Sequence, residues 1–204
     1  MKEENSVKKK MSSILSPIFF VFCLAQFCCA GNNPRMICGR RMGDSQYGTH
    51  MTPLFTAVVN TDGPVLELGC GDFSTPMLHA LCSVKKRFLL SAESNKNWQK
   101  LFFDLKREWH KFKYVSSVQD WANVGSGINW SVVLVDHAPG EQRIVDIERL
   151  RPNTEIFVIH DTEDPVYGYE PLLSTFKYKY TYKRYNTTTM LVSDVIDVAA
   201  LFVD

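Results

Sequence analysis

The chain has 204 residues, of which 45% are hydrophobic and 22% are charged, and its formal net charge is +1. This length allows one domain with a sizeable core plus a tail. Because the charge is balanced, the chain has no long-range field to attract nucleic acid, and we expect no nucleic-acid partner.

The N-terminus has the basic, apolar, small-residue order of a secretory signal. Lysines at 8–10 precede an apolar stretch over 14–30, which ends in Cys28-Cys29-Ala30. This order predicts a signal peptide over residues 1–30 and a secreted or lumenal protein. One alternative is an uncleaved signal anchor, which would tie a lumenal domain to the membrane. Another is a misassigned start codon, which would leave the protein in the cytoplasm.

Residues 31–48 read as a linker, and a single domain is predicted over 49–204. Helical apolar spacing predicts helices over 49–61, 75–83, 94–109, 141–150 and 169–176. Apolar runs predict strands over 65–68, 88–92, 112–115, 130–135 and 156–159, and alternation predicts a final hairpin over 178–185 and 188–192. This order predicts an α/β doubly wound mixed sheet that is mostly parallel, with an antiparallel C-terminal hairpin strand.

The first strand of this domain runs into a tight turn that contains Glu67, Gly69, Cys70 and Gly71. Glycines let a ligand approach the backbone, and the helix that begins after Phe73 offers free N–H groups. A carboxylate in the turn would repel a diphosphate. The acidic Glu67 therefore favours a nucleotide-like ligand that carries a cationic amine.

The turn resembles motif I of the class I S-adenosylmethionine (SAM)-dependent methyltransferases, an acidic residue followed by spaced glycines. Phe73 stands where that motif has its third glycine, and the resemblance in element order covers about residues 49–194. It implies a Rossmann-like fold, methyl transfer, and SAM bound along Glu67, Gly69, Cys70 and Gly71.

Carboxylates follow four of the predicted strands, namely Glu93, Asp120, Asp136 and Asp161. Ligands of open α/β sheets bind at these carboxyl ends. The resemblance implies that Glu93 binds the ribose hydroxyls, that Asp120 and Trp121 bind the adenine, and that Asp136 faces the methyl group. The alternatives are a helix-start acid at Glu93, a loop acid at Asp120 and a core tryptophan at Trp121.

Histidines accompany two of these acids, as Asp136-His137 and His160-Asp161. Either histidine is a candidate general base for an acceptor, because imidazole titrates near neutral pH. These strand ends also resemble the catechol-type O-methyltransferases, which implies Mg²⁺ on Asp136 and Asp161, although Thr162 replaces that family's amide ligand. A structural hydrogen bond is the alternative for each histidine.

Together, the residues and the resemblance predict a SAM-dependent methyltransferase that acts on a hydroxyl of a small molecule or glycan. One alternative is a non-catalytic SAM-fold binding protein of the secretory pathway. The other is an NAD-dependent oxidoreductase, against which Glu67 and Phe73 count. Membrane contact is expected only through the apolar N-terminus, if that segment is retained.

Overall fold

The structure is a computed structural model that describes residues 36–37, 40–41, 48–184 and 186–202. The chain divides into two units between residues 43 and 44. Of the first unit, the structure describes only a short antiparallel pair, β1 (Met36–Ile37) and β2 (Arg40–Arg41). The predicted signal segment and most of the predicted linker lie outside the described residues, so those boundaries stay predictions. Within the described ranges, no helix is long and apolar enough to cross a membrane.

The second unit alternates strands and helices in the predicted order. Its helices are α1 (Met51–Val59), α2 (Ser74–Lys85), α3 (Lys96–Lys100), α4 (Gln142–Leu150) and α5 (Glu170–Leu173). Its strands are β3 (Val65–Leu68), β4 (Leu89–Glu93), β5 (His110–Tyr114), β6 (Trp130–Val135), β7 (Thr154–His160), β8 (Tyr178–Arg184) and β9 (Thr187–Ser193).

These seven strands form one sheet in the order β5-β4-β3-β6-β7-β9-β8. The pairings from β5 across to β7 are parallel, whereas β9 runs antiparallel to both β7 and β8. This arrangement confirms the predicted doubly wound mixed sheet with an antiparallel C-terminal hairpin.

The sheet register sets where the functional residues meet. Leu68, at the end of β3, pairs with Ala92 of β4 and Val135 of β6. The carboxyl ends of the three strands therefore lie side by side. Every residue of β3 and β6 is buried, as expected for central parallel strands that are covered on both faces.

The predicted helix over 94–109 is wrong. The α-helix ends at Lys100, a short 3-10 turn follows at Phe103–Leu105, and β5 begins at His110. Leu101, which the helical pattern placed on the buried face, is 54% exposed. Residues 101–109 instead lead into β5, whose first residue, His110, is buried with its Nε2 atom 3.0 Å from the Ser91 hydroxyl of β4.

Candidate functional site

The turn after β3, residues 67–71, is here called the glycine turn, and it lies against the end of β6. Gly69 has a φ of +93°, a backbone conformation that glycine adopts without strain. A Cβ atom at Gly69 would lie 2.3 Å from the carbonyl oxygen of Asp136. Only glycine fits this close approach, which places Asp136 directly beside the glycine turn.

Glu93, at the end of β4, holds the glycine turn from one side. Its Oε2 accepts a hydrogen bond from the Cys70 N–H at 3.0 Å, and its Oε1 accepts one from the Asn95 N–H at 2.6 Å. Trp98 donates its indole N–H to the Cys70 carbonyl at 2.7 Å. Glu93 therefore stabilises the backbone of the turn, and its ribose-binding role stays a prediction.

Glu67 stabilises the glycine turn through the hydroxyl of Thr75. The Gly71 N–H donates to the Thr75 hydroxyl at 2.9 Å, and that hydroxyl donates to Glu67 at 2.8 Å. Burial raises the pKa of Glu67 to about 7, although the nearby hydroxyls of Ser74, Ser91 and Thr75 oppose the shift. Glu67 is fully buried. Its observed contacts are those of a residue that holds the turn.

Asp120 and Trp121 share a 3-10 helix, Val118–Asn123, but their side chains differ in exposure. The Ser116 hydroxyl donates to the carboxylate of Asp120, which is partly exposed. Trp121 is buried, and its ring centroid lies 4.2 Å from that of His137. Trp121 therefore matches the core-tryptophan alternative, and the adenine role of the pair stays a prediction.

His137 is buried in the core. Its Nε2 lies 2.8 Å from Oδ2 of Asp146, a fully buried carboxylate on α4. Burial lowers the pKa of His137, although Asp146 opposes the shift. These surroundings match the structural alternative for His137, and its catalytic assignment stays a prediction.

His160, the last residue of β7, is the centre of a second polar group. Its Nδ1 lies 3.1 Å from Oδ1 of Asp161 and 3.4 Å from Oδ1 of Asp136. Its Nε2 lies 2.9 Å from the Thr49 hydroxyl. Burial alone would lower the pKa of His160, but the two carboxylates raise it to about 9. His160 is therefore an imidazolium at neutral pH in this arrangement, which makes it a proton donor.

Arg143, on α4, joins the acids at the two strand ends. Its guanidinium lies 3.2 Å from Oδ1 of Asp136 and 3.9 Å from Oδ2 of Asp161, and it donates to the His137 carbonyl at 2.7 Å. The guanidinium also lies over the ring of Tyr167, 4.6 Å from its centroid. Burial alone would raise the pKa of Asp136, yet His160, with His50 and Arg143, holds it below its usual value.

His50, which precedes α1, completes this group. Its ring packs edge-on against His160, with the centroids 4.6 Å apart, and α1 lies against β6 and β7. Both ring nitrogens are buried without a hydrogen-bond partner, and burial lowers the pKa of His50 to about 4. His50 therefore contributes a neutral imidazole. We call His50, Asp136, Arg143, His160 and Asp161 the strand-end cluster.

The strand-end cluster does not fit the predicted magnesium site on Asp136 and Asp161. Mg²⁺ prefers oxygen ligands and keeps several waters. Here the two carboxylates instead face the Arg143 guanidinium and the His160 imidazolium. Arg143 and His160 therefore take the place beside the two carboxylates that a bridging Mg²⁺ ion would occupy.

The sequence predicts a functional role for three residues of the cluster but not for His50 or Arg143. Asp136, His160 and Asp161 were marked by their places after strands. His50 lies in a segment with no local motif, and Arg143 lies on a helix whose pattern shows only amphipathicity. Both enter the cluster through tertiary packing, which leaves no signal in a single sequence.

No protein-family model matches the sequence, and no curated protein matches it in a sequence search. Solved structures do match the fold. A probable spermidine synthase from Corynebacterium glutamicum has a TM-score of 0.56 at 14% identity, covering 81% of this chain and 76% of that one. Human methyltransferase-like protein 13, solved in complex with SAH, has a TM-score of 0.54 at 12% identity, with coverages of 74% and 82%.

Spermidine synthase from Thermotoga maritima matches at a TM-score of 0.52 and 13% identity, over 82% of this chain and 66% of that enzyme. The chain thus spans slightly less than two thirds of that enzyme's length. At these identities the matches show the fold. The chain has the Rossmann-like fold of the class I SAM-dependent methyltransferases, which structures named as spermidine synthases share.

Proposed function

We propose that the protein is a SAM-dependent methyltransferase whose acceptor is a hydroxyl group. One observation carries the proposal: Gly69 contacts the backbone of Asp136, which puts the strand-end cluster beside the glycine turn. A cofactor site and a reactive polar site are thereby adjacent at one sheet edge. The fold alone does not decide the reaction, since one fold serves many activities.

The glycine turn fits SAM in two respects. Gly71 is partly exposed, and a Cβ atom there would meet only the Ser74 hydroxyl, at 3.1 Å, so the backbone is open to a ligand. Each carboxylate oxygen of Glu93 uses one lone pair on a backbone N–H, which leaves acceptor capacity for ribose hydroxyls. When bound, SAM supplies an electrophilic methyl group on a sulfonium.

The strand-end cluster suits a hydroxyl acceptor. Asp136 is ionised and partly exposed, so it can accept a hydrogen bond from a hydroxyl and then its proton. A weak base suffices, because a hydroxyl becomes strongly acidic once its oxygen is alkylated. His160 and Arg143 keep Asp136 charged and fix its orientation. Asp136 therefore replaces His137 and His160 as the proposed proton acceptor.

The acceptor is proposed to be a small molecule or a glycan, in a secreted or lumenal setting. The proposal for the setting rests on the basic, apolar and small-residue order of residues 1–30. The proposal for a hydroxyl rests on the anionic and partly exposed Asp136, which can accept a hydrogen bond from a hydroxyl of a polyol.

Calorimetric titration of the full chain with SAM and SAH tests this proposal. We expect binding, with Glu93→Ala weakening it at least 100-fold because a charged acceptor for both ribose hydroxyls is lost. Glu93→Gln, which keeps the size and one acceptor oxygen, should show an intermediate loss. Asp104→Asn, a surface substitution away from the turn, is the control and should bind like the parent.

Two outcomes would contradict the proposal. Folded protein that shows neither heat nor a thermal shift with SAM or SAH would remove the cofactor, and binding of NAD instead would favour the oxidoreductase alternative. SAM binding that Glu93→Ala leaves unchanged would place the cofactor elsewhere. Binding of SAM without turnover on any polyol or phenol acceptor would favour the non-catalytic alternative.

A further inference from the structure

We propose that His50, Asp136 and His160 bind a divalent transition metal of the Zn²⁺ class. One ligand-type atom from each residue lies within 4.8 Å of those of the other two. The three residues come from the start of α1 and from the ends of β6 and β7, so the site forms only in the folded chain. This proposal does not rest on methyl transfer, although both proposals use Asp136 and His160.

The spacing of the three side chains is close to that of a metal site. Two ligands on tetrahedral zinc, each at its usual bond length, are roughly 3.4 Å apart. Nδ1 of His160 and Oδ1 of Asp136 already have a separation of 3.4 Å. A nitrogen of the His50 ring, which packs edge-on against His160, lies within 4.8 Å of both of these residues' ligand atoms and would have to move toward them to reach the same ion.

The surroundings of His160 resemble the outer contacts of a metal-binding histidine. Such a histidine directs its second ring nitrogen to a polar neighbour, which fixes the ring and the tautomer. Nε2 of His160 lies 2.9 Å from the Thr49 hydroxyl, which itself accepts from the Thr187 hydroxyl at 2.9 Å. With Nε2–H donating to Thr49, Nδ1 is the nitrogen directed toward Asp136, and a metal ion would bind there by displacing the Nδ1 proton that the metal-free imidazolium holds.

Two residues of this region have buried polar atoms without a hydrogen-bond partner. Both ring nitrogens of His50 and the hydroxyl of Thr189 are buried without a hydrogen-bond partner. Thr189 pairs in register with His160 across β9 and β7, so its side chain lies on the same face of the sheet. Buried polar groups almost always have partners, and an absent ion is one recognised explanation for a group without one. A metal ion bound to one ring nitrogen of His50 would give that nitrogen the partner that it lacks.

The donor set selects the class of metal. Two imidazole nitrogens and one carboxylate suit Zn²⁺, Fe²⁺ or Co²⁺, whereas Mg²⁺ and Ca²⁺ require oxygen ligands. Arg143 and Asp161 then act as neighbours of the carboxylate and of His160. Three protein ligands also leave at least one coordination position open.

The direct test is metal binding by the full chain after removal of metals with a chelator. Titration with Zn²⁺ should show one equivalent bound, and Co²⁺ should bind at the same site with a ligand-field spectrum that Zn²⁺ abolishes. Mg²⁺ should not compete. We expect His50→Ala and His160→Ala to weaken Zn²⁺ binding at least 100-fold. Thr49→Val should weaken it about 10-fold and Thr49→Ser should restore it.

His79→Ala is the matched control, because His79 belongs to the other histidine pair, with its Nδ1 2.9 Å from Nδ1 of His110. It should bind Zn²⁺ like the parent. Circular dichroism in chelator checks that each variant folds, and the Thr49 variants and the Co²⁺ spectrum carry the test if a histidine variant does not. Absence of any bound equivalent overturns the proposal, as does binding that survives His50→Ala or disappears in His79→Ala. Zn²⁺ binding without SAM binding would leave this proposal standing and remove the proposed function.

Discussion

The glycine turn and the strand-end cluster lie side by side, yet they differ in how their polar groups are satisfied. In the glycine turn, the N–H groups of Gly69, Cys70 and Gly71 donate to Ala92, Glu93 and Thr75. In the strand-end cluster, both nitrogens of His50 have no partner. The backbone N–H groups of the turn are all paired and only Oε2 of Glu67 is buried there without a partner, whereas the cluster leaves both nitrogens of one imidazole unpaired.

The two regions also differ in charge. Burial raises the pKa of Glu67 in the turn to about 7, whereas His160 and Arg143 hold the pKa of the partly exposed Asp136 in the cluster below its usual value. His50 and His160 are shifted in opposite directions, to a pKa of about 4 and about 9. Neighbouring groups with opposed shifts are typical of sites that bind or transfer charge. This contrast is consistent with the proposal that the turn recognises the cofactor and that the cluster carries the chemistry.

Removing Arg143 should give the largest change in stability and would break the charge balance of the cluster. Arg143→Met removes one of the two cations that Asp136 and Asp161 share, and removing one partner from a mostly buried charge network costs about 3–5 kcal/mol. The free energy of unfolding in urea measures the loss. Arg151→Met is the matched control, because Arg151 forms a more exposed pair with Asp194 that is worth about 1 kcal/mol or less. Equal losses in the two variants would contradict the assignment.

The pH dependence of the free energy of unfolding tests whether Glu67 is held neutral by burial in the folded protein. Its pKa is about 7 in the folded protein against 4.5 unfolded, so the stability that it contributes is fully present below pH 4.5 and is lost as the pH rises through 7. The free energy of unfolding of the parent should therefore fall relative to Glu67→Gln by roughly 3 kcal/mol between pH 4 and pH 8.

Glu148, an exposed residue of α4, supplies the control for this pH series. The difference between the parent and Glu148→Gln should stay within about 0.5 kcal/mol over the same range, as for other surface substitutions. A parent-minus-Glu67→Gln difference that is independent of pH would show that Glu67 is not held neutral by burial.

The smallest predicted effect concerns the indole that contacts the glycine turn. Trp98→Phe keeps the aromatic contact with Phe102 but loses the hydrogen bond to the Cys70 carbonyl, which is worth about 1 kcal/mol. SAH affinity should fall by a few fold and Zn²⁺ affinity should not change. Trp109→Phe, at a tryptophan that packs on His79, should leave both affinities unchanged. Loss of Zn²⁺ affinity in Trp98→Phe would show that the two regions are not separable.

Local patterns were sufficient for most of the fold and for the turn. The continuous apolar run of β6 and the alternation of β8 predict a central strand and an edge strand, because burial sets hydrophobic pattern directly. The strand-end acids follow from the same reasoning, since parallel strands all end at one sheet edge. The helix prediction failed over residues 101–109, where an apolar pattern at helical spacing belongs to a segment that turns and enters β5.

The site was predictable only where its residues lie next to strand ends. His137 and His160 each lie beside an acid near a strand end, but His137 follows its acid two residues beyond β6, whereas His160 precedes its acid as the last residue of β7. The structure turns His137 toward Trp121 and Asp146 in the core, whereas His160 faces Asp136 and Asp161. Side-chain direction at a strand end depends on the following loop and on the packing of α4. One sequence does not contain that information in a local form.

The most direct measurement is a crossed titration of SAH and Zn²⁺ into the full-length parent, Glu93→Ala and His50→Ala. We expect the parent to bind both ligands. Glu93→Ala should lose SAH binding and keep Zn²⁺ binding. His50→Ala should keep SAH binding and lose Zn²⁺ binding. If each folded variant instead binds both ligands as the parent does, neither region has the role assigned to it. A parent that binds neither ligand would contradict the account as a whole.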